Sequence, residues 1–226
     1  MKLVSFDVGI KNLAYCCINS ENNAIQDWGI VNISVEPVCD HCLKNGSQCD
    51  KTATFMHQNM KLCSTHKKNK QYSDKKWKKI PKCKNSVLEI GKNIVRLLDK
   101  IDSLLDAEHI IIENQPALKN PTMKTVQMIL YSYFLIRGVT VDECSIQNIE
   151  MINARNKLKS YKGPVILHPY EDTKKNKYKI NKYLAVKYCG KMIENEKDEY
   201  VQYYSSSKKK DDLADAYLQG IYWLTK

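Results

Sequence analysis

Residues 1–18 read MKLVSFDVGIKNLAYCCI. Two apolar runs, 2–8 and 12–19, have the length and side-chain character of buried strands, and residues 9–11 are few enough to turn one back beside the other. A third run, 25–33, follows a polar break at 21–23, so the first 33 residues predict an antiparallel meander. Asp7 is out of place in it. An ionised carboxylate in a buried strand is costly unless it is paired or bound to a metal. The simpler alternative is a residue pointing to solvent, and Asp7 alone does not choose between them.

Outward from this stretch, the pattern changes twice. Val87, Ile90, Ile94, Leu97, Leu98, Ile101, Leu104 and Leu105 form a broad stripe at helical spacing. The run HIIIE at 109–113 suits a buried central strand. Residues 123–136 are again helix-like, with Pro121 near the start and Gly138 past the end. Residues 144–152 are strand-like and 153–176 are basic and irregular. Helices are expected near 177–194 and 209–225, with Ser205–Ser207 offering an N-cap for the last. This order predicts an α/β fold: a mixed sheet of three antiparallel strands followed by parallel strands, flanked by helices. Residues 36–84 break the pattern and read as an insertion, so the expected domains are 1–35 with 85–226, and 36–84.

Two further acidic positions bear on Asp7. Glu113 ends the HIIIE run, and NQP then breaks the strand. An acid at the end of a central strand sits where open α/β sheets place their sites, although an ordinary strand-terminating acid reads the same way. In KKKDDLADAYLQG, 208–220, Asp212 and Asp215 share a helix face, as do Asp211 and Asp215. Such like charges repel unless a cation lies between them. The helix macrodipole accounts for Asp211 and Asp212 in a first turn. It accounts less well for Asp215, which lies between Ala214 and Ala216. Helical geometry does not choose between Asp211 and Asp212. One acid from the first strand, one from a central strand and two from the last helix make an oxygen-donor set suited to Mg²⁺, a pair of which can clamp an in-line phosphoryl displacement. Asp7 is then explained as a metal ligand.

The charge balance agrees. Thirty-six Lys and Arg against 25 Asp and Glu give a net charge of +11, an excess that favours a polyanionic partner such as nucleic acid. Residues 1–20 lack the features of a signal peptide, and no run approaches the roughly 18 apolar residues of a membrane span. A soluble intracellular protein, not secreted and without a membrane partner, is expected. Nine cysteines in that setting are free thiols or metal ligands rather than disulfides. Eight glycines with no G-x-G argue against the phosphate loops of an ATPase.

The blocks FDVGIKNLAY, IIIENQPALKNPTMKTVQMILYSYF and KKDDLADAYLQG resemble Holliday junction resolvases of the RuvC type, within the ribonuclease H-like superfamily. The likeness is to the branch of poxvirus, other large-DNA-virus and fungal mitochondrial resolvases. It covers the chain except 36–84 and the poorly matching 153–176. The resemblance implies a homodimeric, metal-dependent endonuclease that resolves four-way DNA junctions by paired symmetric nicks. It implies catalytic acids at Asp7, Glu113, Asp212 and Asp215 holding two Mg²⁺, with Mn²⁺ able to substitute. It implies a viral setting in the host cytoplasm or nucleus, and a basic residue at the start of the penultimate helix. Lys177, at helical spacing with Ile180 and Leu184, is the first candidate for that residue and Lys179 the second. A ribonuclease H-type enzyme on RNA–DNA hybrids would use the same acids, and a non-catalytic zinc-stabilised nucleic-acid-binding protein is the third reading.

The insertion departs from the family pattern. Cys39-x2-Cys42 and Cys63-x2-His66, twenty residues apart, match the ligand spacing of a structural tetrahedral Zn²⁺ site. Cys49 is the strongest substitute ligand, with His41 and His57 behind it. Ten lysines and one acid follow between 61 and 84, with Tyr72 and Trp77 interleaved. Lys75, Lys76, Trp77, Lys78 and Lys79 are the candidate DNA contacts, since lysines suit phosphates and an aromatic ring can stack on an unpaired base. A solvated lysine-rich tail is the alternative.

Overall fold

The structure, a computed structural model, describes residues 1–34, 36–80, 87–118 and 120–226. The domain borders expected at 35, 84 and 85, with Lys82 and Lys84 of the lysine-rich stretch, lie outside the described residues. The chain divides into two compact units, Met1–Ile33 with Gly91–Lys226 (the main unit) and Ser34–Ile90 (the insert unit).

In the main unit the meander forms as its sequence suggests: β1 Lys2–Val8, β2 Asn12–Asn19 and β3 Ile25–Asn32. β1 pairs antiparallel with β2, placing Asp7 opposite Ala14, and β2 pairs antiparallel with β3. A Cβ on Gly9 would lie 2.5 Å from the Asn12 carbonyl oxygen, so the turn after Asp7 needs glycine. The insert unit carries its own small antiparallel sheet of β4 Phe55–His57, β5 Met60–Leu62 and β6 Lys78–Lys79. Back in the main unit, β7 His109–Glu113 pairs parallel with β1, and β8 Asn148–Ile152 pairs parallel with β7. The order β3-β2-β1-β7-β8 puts β1 and β7 at the centre, which is why Ile110, Ile111 and Ile112 are all buried.

Five helices are described: α1 Val87–Leu98, α2 Pro121–Phe134, α3 Lys177–Met192, α4 Asp198–Ser206 and α5 Lys210–Thr225. α2 starts as its sequence signals, with Pro121 in the first turn and the Asn120 side chain accepting the Met123 N–H at 3.2 Å. The two faces of β1 meet different helices because side chains alternate along a strand. Phe6 contacts Phe134 of α2, ring centroids 5.3 Å apart. Leu3 and Ser5 face α5, where a Cβ on Gly220 would come within 3.1 Å of Ser5 Cβ and 2.6 Å of Ile18 Cδ1. Glycine there lets α5 lie close on the sheet, and the Gln219 amide fixes the contact with bonds to Ser5 Oγ (3.2 Å) and the Phe6 carbonyl (3.0 Å). Asp7 is the next residue on that same face. The core between sheet and helices joins Ala14, Cys16 and Trp28 to Ala185, Cys189, Leu213, Tyr217 and Leu218.

Four local expectations need correction. The 87–105 stripe is not one helix: α1 ends at Leu98, and Asp102–Leu104 is a separate 3₁₀ turn. The strand expected at 144–152 begins only at Asn148. α4 was not expected, because DEYVQYYSS has little aliphatic stripe; tyrosine does the packing instead, with Tyr204 stacked on Trp28 at 5.3 Å. Ser205 and Ser206 belong to α4 and do not cap α5, whose N-cap is Lys209. No helix among the described residues is long and apolar enough to cross a membrane.

Candidate active site

Asp7, Glu113, Asp212 and Asp215 line one cavity of about 570 Å³ in the main unit, together with Asp211. Three elements supply them. β1 and β7 run parallel side by side, so Asp7 and Glu113 reach the same end of the sheet. The first turns of α5 pass over that end, and Asp212, Asp215 and Gln219 follow one another at i, i+3 and i+7 on the helix side that meets β1. Gln115, buried, holds Glu113 in place: its Nε2 donates to Glu113 Oε2 at 2.7 Å and to the Val8 carbonyl at 3.4 Å, while its backbone N–H donates to Gln127 Oε1 at 2.8 Å. Asn12 Nδ2 donates to Asp212 Oδ2 at 3.5 Å, linking the turn after Asp7 to α5.

Basic groups enter the same cavity. Lys157 Nζ lies 2.5 Å from Asp215 Oδ2 and Lys182 Nζ 2.5 Å from Asp211 Oδ2. Lys209 stands 3.8 Å from Asp212, and Arg155 also lines the wall. Even so, the acids are strained electrostatically. Burial, then the charges of Glu113 and Asp215, hold the Asp7 carboxyl well above the usual carboxylate range. Burial pushes Asp215 up to about 6 against the opposing pull of Lys157. Burial and the neighbouring Asp211 raise Asp212, whereas Asp211 is lowered because Lys182 outweighs its burial. Lys157 is raised: burial opposes its charge, but Asp215, Asp7 and Glu113 together prevail. A site that holds Asp7, Asp212 and Asp215 above the usual carboxylate range has room for more positive charge, and its oxygen donors fit a hard divalent cation.

The chain is similar to known proteins over almost its whole length. It is 35% identical, over an alignment 311 positions long, to uncharacterized protein L451 of Acanthamoeba polyphaga mimivirus, covering 99% of this chain and 74% of that one. The two belong to one family. No protein-family model matches the chain. The yeast mitochondrial Holliday junction resolvase Ydc2 has the same fold, with a TM-score of 0.52 at 15% identity over 98% of this chain and 78% of that one. The Fowlpox virus resolvase in complex with its substrate Holliday junction DNA aligns with a TM-score of 0.47 at 15% identity, over 100% and 97% of the two chains. The ribonuclease H-like resolvase fold implied by the sequence blocks is thus the fold observed.

The structure brings the four expected acids together, with Asp211 drawn off toward Lys182. It does not bring Lys177 or Lys179 to them: both are exposed and neither lines the cavity. The side of α3 that faces the acids carries Tyr178, Asn181 and Lys182, at i, i+3 and i+4. Lys177 and Lys179 flank Tyr178 and so diverge from that side. The deeper lysine, Lys157, was missed. It lies in a 3₁₀ segment, Ala154–Ser160, within the stretch that reads as irregular. Its one sequence signal is the basic run after a strand ending beside Glu113.

In the insert unit, the ligating atoms of Cys39, Cys49, Cys63 and His66 lie within 4.8 Å of one another. Cys49 therefore replaces Cys42, which is exposed with its thiol directed at the Gly46 carbonyl (3.3 Å). The x2 spacing works at Cys63–His66 because the chain turns there, the Lys67 N–H reaching back to the Cys63 carbonyl at 3.1 Å. It fails at Cys39–Cys42 because that segment is one arm of a hairpin, with Cys42 opposite Gln48 and the Cys49 N–H donating to the His41 carbonyl. On an extended arm, residues three apart point to opposite faces. Of the candidate DNA contacts, Lys76, Lys78 and Lys79 are exposed and Lys75 is half-buried. Trp77 is half-buried too, edge-on to Tyr72, and its indole N–H donates to the Tyr72 carbonyl at 3.1 Å. It packs against the small core of the unit.

Proposed function

We propose that this protein is a divalent-metal-dependent endonuclease that resolves four-way DNA junctions by paired nicks, acting as a homodimer. The observation that carries the reading is the convergence of Asp7, Glu113, Asp212 and Asp215 in one cavity of a resolvase fold. These four carboxylates would hold the ions. Two Mg²⁺, or Mn²⁺ in their place, would supply Lewis acidity and an activated water. Asp7 feels both Glu113 and Asp215 and is the natural shared ligand. Gln115 keeps the Glu113 carboxylate turned into the cavity. Asn12 steadies Asp212. Lys157, Lys182 and Arg155 on the cavity wall offer donors for a scissile phosphate, and Lys157 does so from beside Asp215. The net charge of +11 suits a partner as densely charged as branched DNA.

A junction has two-fold symmetry, so two sites related by a C2 axis match it. An apolar groove beside α1, lined by Val95 of α1, Met128, Ile129 and Tyr133 of α2 and Ile136 just after it, would supply the dimer surface, with Ile136 63% exposed. The mimivirus relative supports a large DNA virus as the setting. The test offers the purified protein a synthetic four-way junction, a matched linear duplex and an RNA–DNA hybrid, with Mg²⁺ and with EDTA, beside Asp7→Asn. Paired symmetric nicks in the junction alone, lost with EDTA or with the variant, are expected. Cleavage of the hybrid in preference would move the substrate to RNA, and cleavage unaffected by Asp7→Asn would remove the four-acid site from the chemistry.

A further inference from the structure

Among the described residues, three of the four buried residues at the centre of the insert unit are cysteines: Cys39, Cys49 and Cys63 stand with Leu62, and the apolar side chains packed around them are Met60, Tyr72 and Trp77. An apolar core this small cannot offset the conformational entropy of ordering the chain around it. Something else must hold the unit together. Thiols are poor hydrophobic cement for such a task, yet here they are fully or nearly fully buried and point at one another and at an imidazole.

The spacing of these atoms is informative. A tetrahedral ion with Zn–S of about 2.3 Å and Zn–N of about 2.0–2.1 Å has S···N edges of about 3.6 Å. His66 Nδ1 lies 3.5 Å from Cys39 Sγ and 3.5 Å from Cys63 Sγ. The His66 backbone N–H also donates to Cys63 Sγ at 3.4 Å, a bond that favours a thiolate. His41 lies tilted against His66, ring centroids 3.9 Å apart, but its Nδ1 is engaged by the Tyr72 hydroxyl at 3.1 Å and it stands outside the cluster. The four donors come from three places in the chain: one hairpin arm (Cys39), the other arm (Cys49), and the turn after β5 (Cys63, His66). A single ion on them ties the hairpin to the sheet.

We infer that Cys39, Cys49, Cys63 and His66 bind one Zn²⁺ ion, and that this ion takes the place of a hydrophobic core in the unit Ser34–Ile90. The donor set is closed, with four protein ligands and soft sulfur in the majority, so the site is structural and selects zinc over magnesium. Cys42 takes no part. Zinc here is independent of the acid cavity and of the proposed cleavage chemistry, so either can fail without the other.

The test is metal stoichiometry and cobalt spectroscopy on the full-length protein. Wild type is expected to carry one zinc per chain and, reconstituted with Co²⁺, to show the intense visible bands of a tetrahedral site and thiolate charge transfer. Cys42→Ser and Asp7→Asn should each keep the full equivalent and the same spectrum. Cys49→Ser should lose the ion or hold it weakly, while Cys49→His should keep one equivalent with a shifted cobalt spectrum, as only a replaced ligand would. Loss of the ion in Cys42→Ser, or an unchanged spectrum in Cys49→His, would overturn the ligand set. Wild type that takes up neither zinc nor cobalt under reducing conditions would overturn the site. If Cys49→Ser is insoluble, the wild-type, Cys42→Ser and Cys49→His spectra decide the matter.

Discussion

The two clusters of metal-ligating side chains are built on opposite principles. The acid cavity sits at the edge of a well-filled core: β1, β7 and α5 are fixed by Phe6, Ile110–Ile112, Leu213 and Leu218, and the carboxylates are a burden on that scaffold. They crowd one another, Asp7, Asp212 and Asp215 are held above the usual carboxylate range, and lysines are drawn in to balance them. In the insert unit the cluster is itself most of the core. A scaffold with stability to spare can hold ligands in an unfavourable arrangement and leave positions open for substrate, whereas a scaffold without it needs the ion and closes all four positions. The first is how reactive sites are made, the second how small domains are stapled.

That contrast breaks most visibly under mutation of the acids. Asp7→Asn, or Glu113→Gln, is expected to lower junction cleavage by ~10³-fold or more, with the main unit still folded by circular dichroism and junction binding retained. A variant that cleaves within about tenfold of wild type would show that the repelling carboxylates are not where the chemistry happens.

Removing the ion from the insert unit should do the reverse. Zinc in small domains contributes ~10–16 kcal/mol to folding, far more than the core around Leu62 supplies. A strong chelator is expected to expose residues 36–80 to hydrogen exchange and proteolysis while the amides of β1, β7 and α5 stay protected. Equal protection of the insert with and without zinc would erase the distinction between the two clusters.

What could be read from the sequence follows the same division. The meander, the central strand and the acids were legible because each rests on a local rule: strand length, an acid ending an apolar run, i and i+3 on a helix. The insert misled at Cys42, where the x2 spacing matched a metal turn but the chain is an extended hairpin arm, a fact fixed by pairing with residues 48–52 rather than by anything local. Trp77 looked like an aromatic platform for the same reason: only the fold shows it packed edge-on to Tyr72 beside the small core. Lys157 escaped because the short 3₁₀ segment ARNKLKS has no apolar repeat to say which way its side chains point. Tyrosine-driven packing hid α4.

A subtler change tests whether the scaffold, and not the acids alone, sets the geometry. Gln115 touches no substrate in this reading; it positions Glu113. Gln115→Leu keeps the bulk and removes both side-chain bonds. Partners that orient metal ligands typically account for 10–100-fold in metal affinity or activity. Cleavage at saturating Mg²⁺ is expected to fall by ~10-fold, and the Mg²⁺ concentration for half-maximal rate to rise. A drop in rate with unchanged Mg²⁺ dependence would mean that Gln115 supports the strand end without orienting the ligand.

The smallest effect concerns the metal-free protein and pH. Asp7 is held above its ordinary range and Asp215 reaches about 6, so in the folded state both keep their protons to higher pH than they would in the unfolded chain. Through Asp215 the folded state then binds more protons than the unfolded state between about pH 4 and 6, and Asp7 acts in the same direction. Their contribution to stability is present at low pH and is lost as pH rises. Lys157, also raised, shifts in the same direction, but it stays charged throughout this window and adds no slope there. Asp7→Asn removes the most frustrated carboxylate, so in EDTA at pH 7 its thermal transition should lie above that of wild type by about 2–4 °C, of the order of 1 kcal/mol for a chain of this size. The gap should close toward pH 4, where wild-type Asp7 is protonated, and reverse when Mg²⁺ is added at pH 7, because only wild type keeps the full ligand set. Any zinc lost on acidification is lost by both proteins and cancels in the difference. A gap that does not depend on pH would trace the gain to packing, and the cavity would then be an ordinary polar pocket rather than one charged against its own fold.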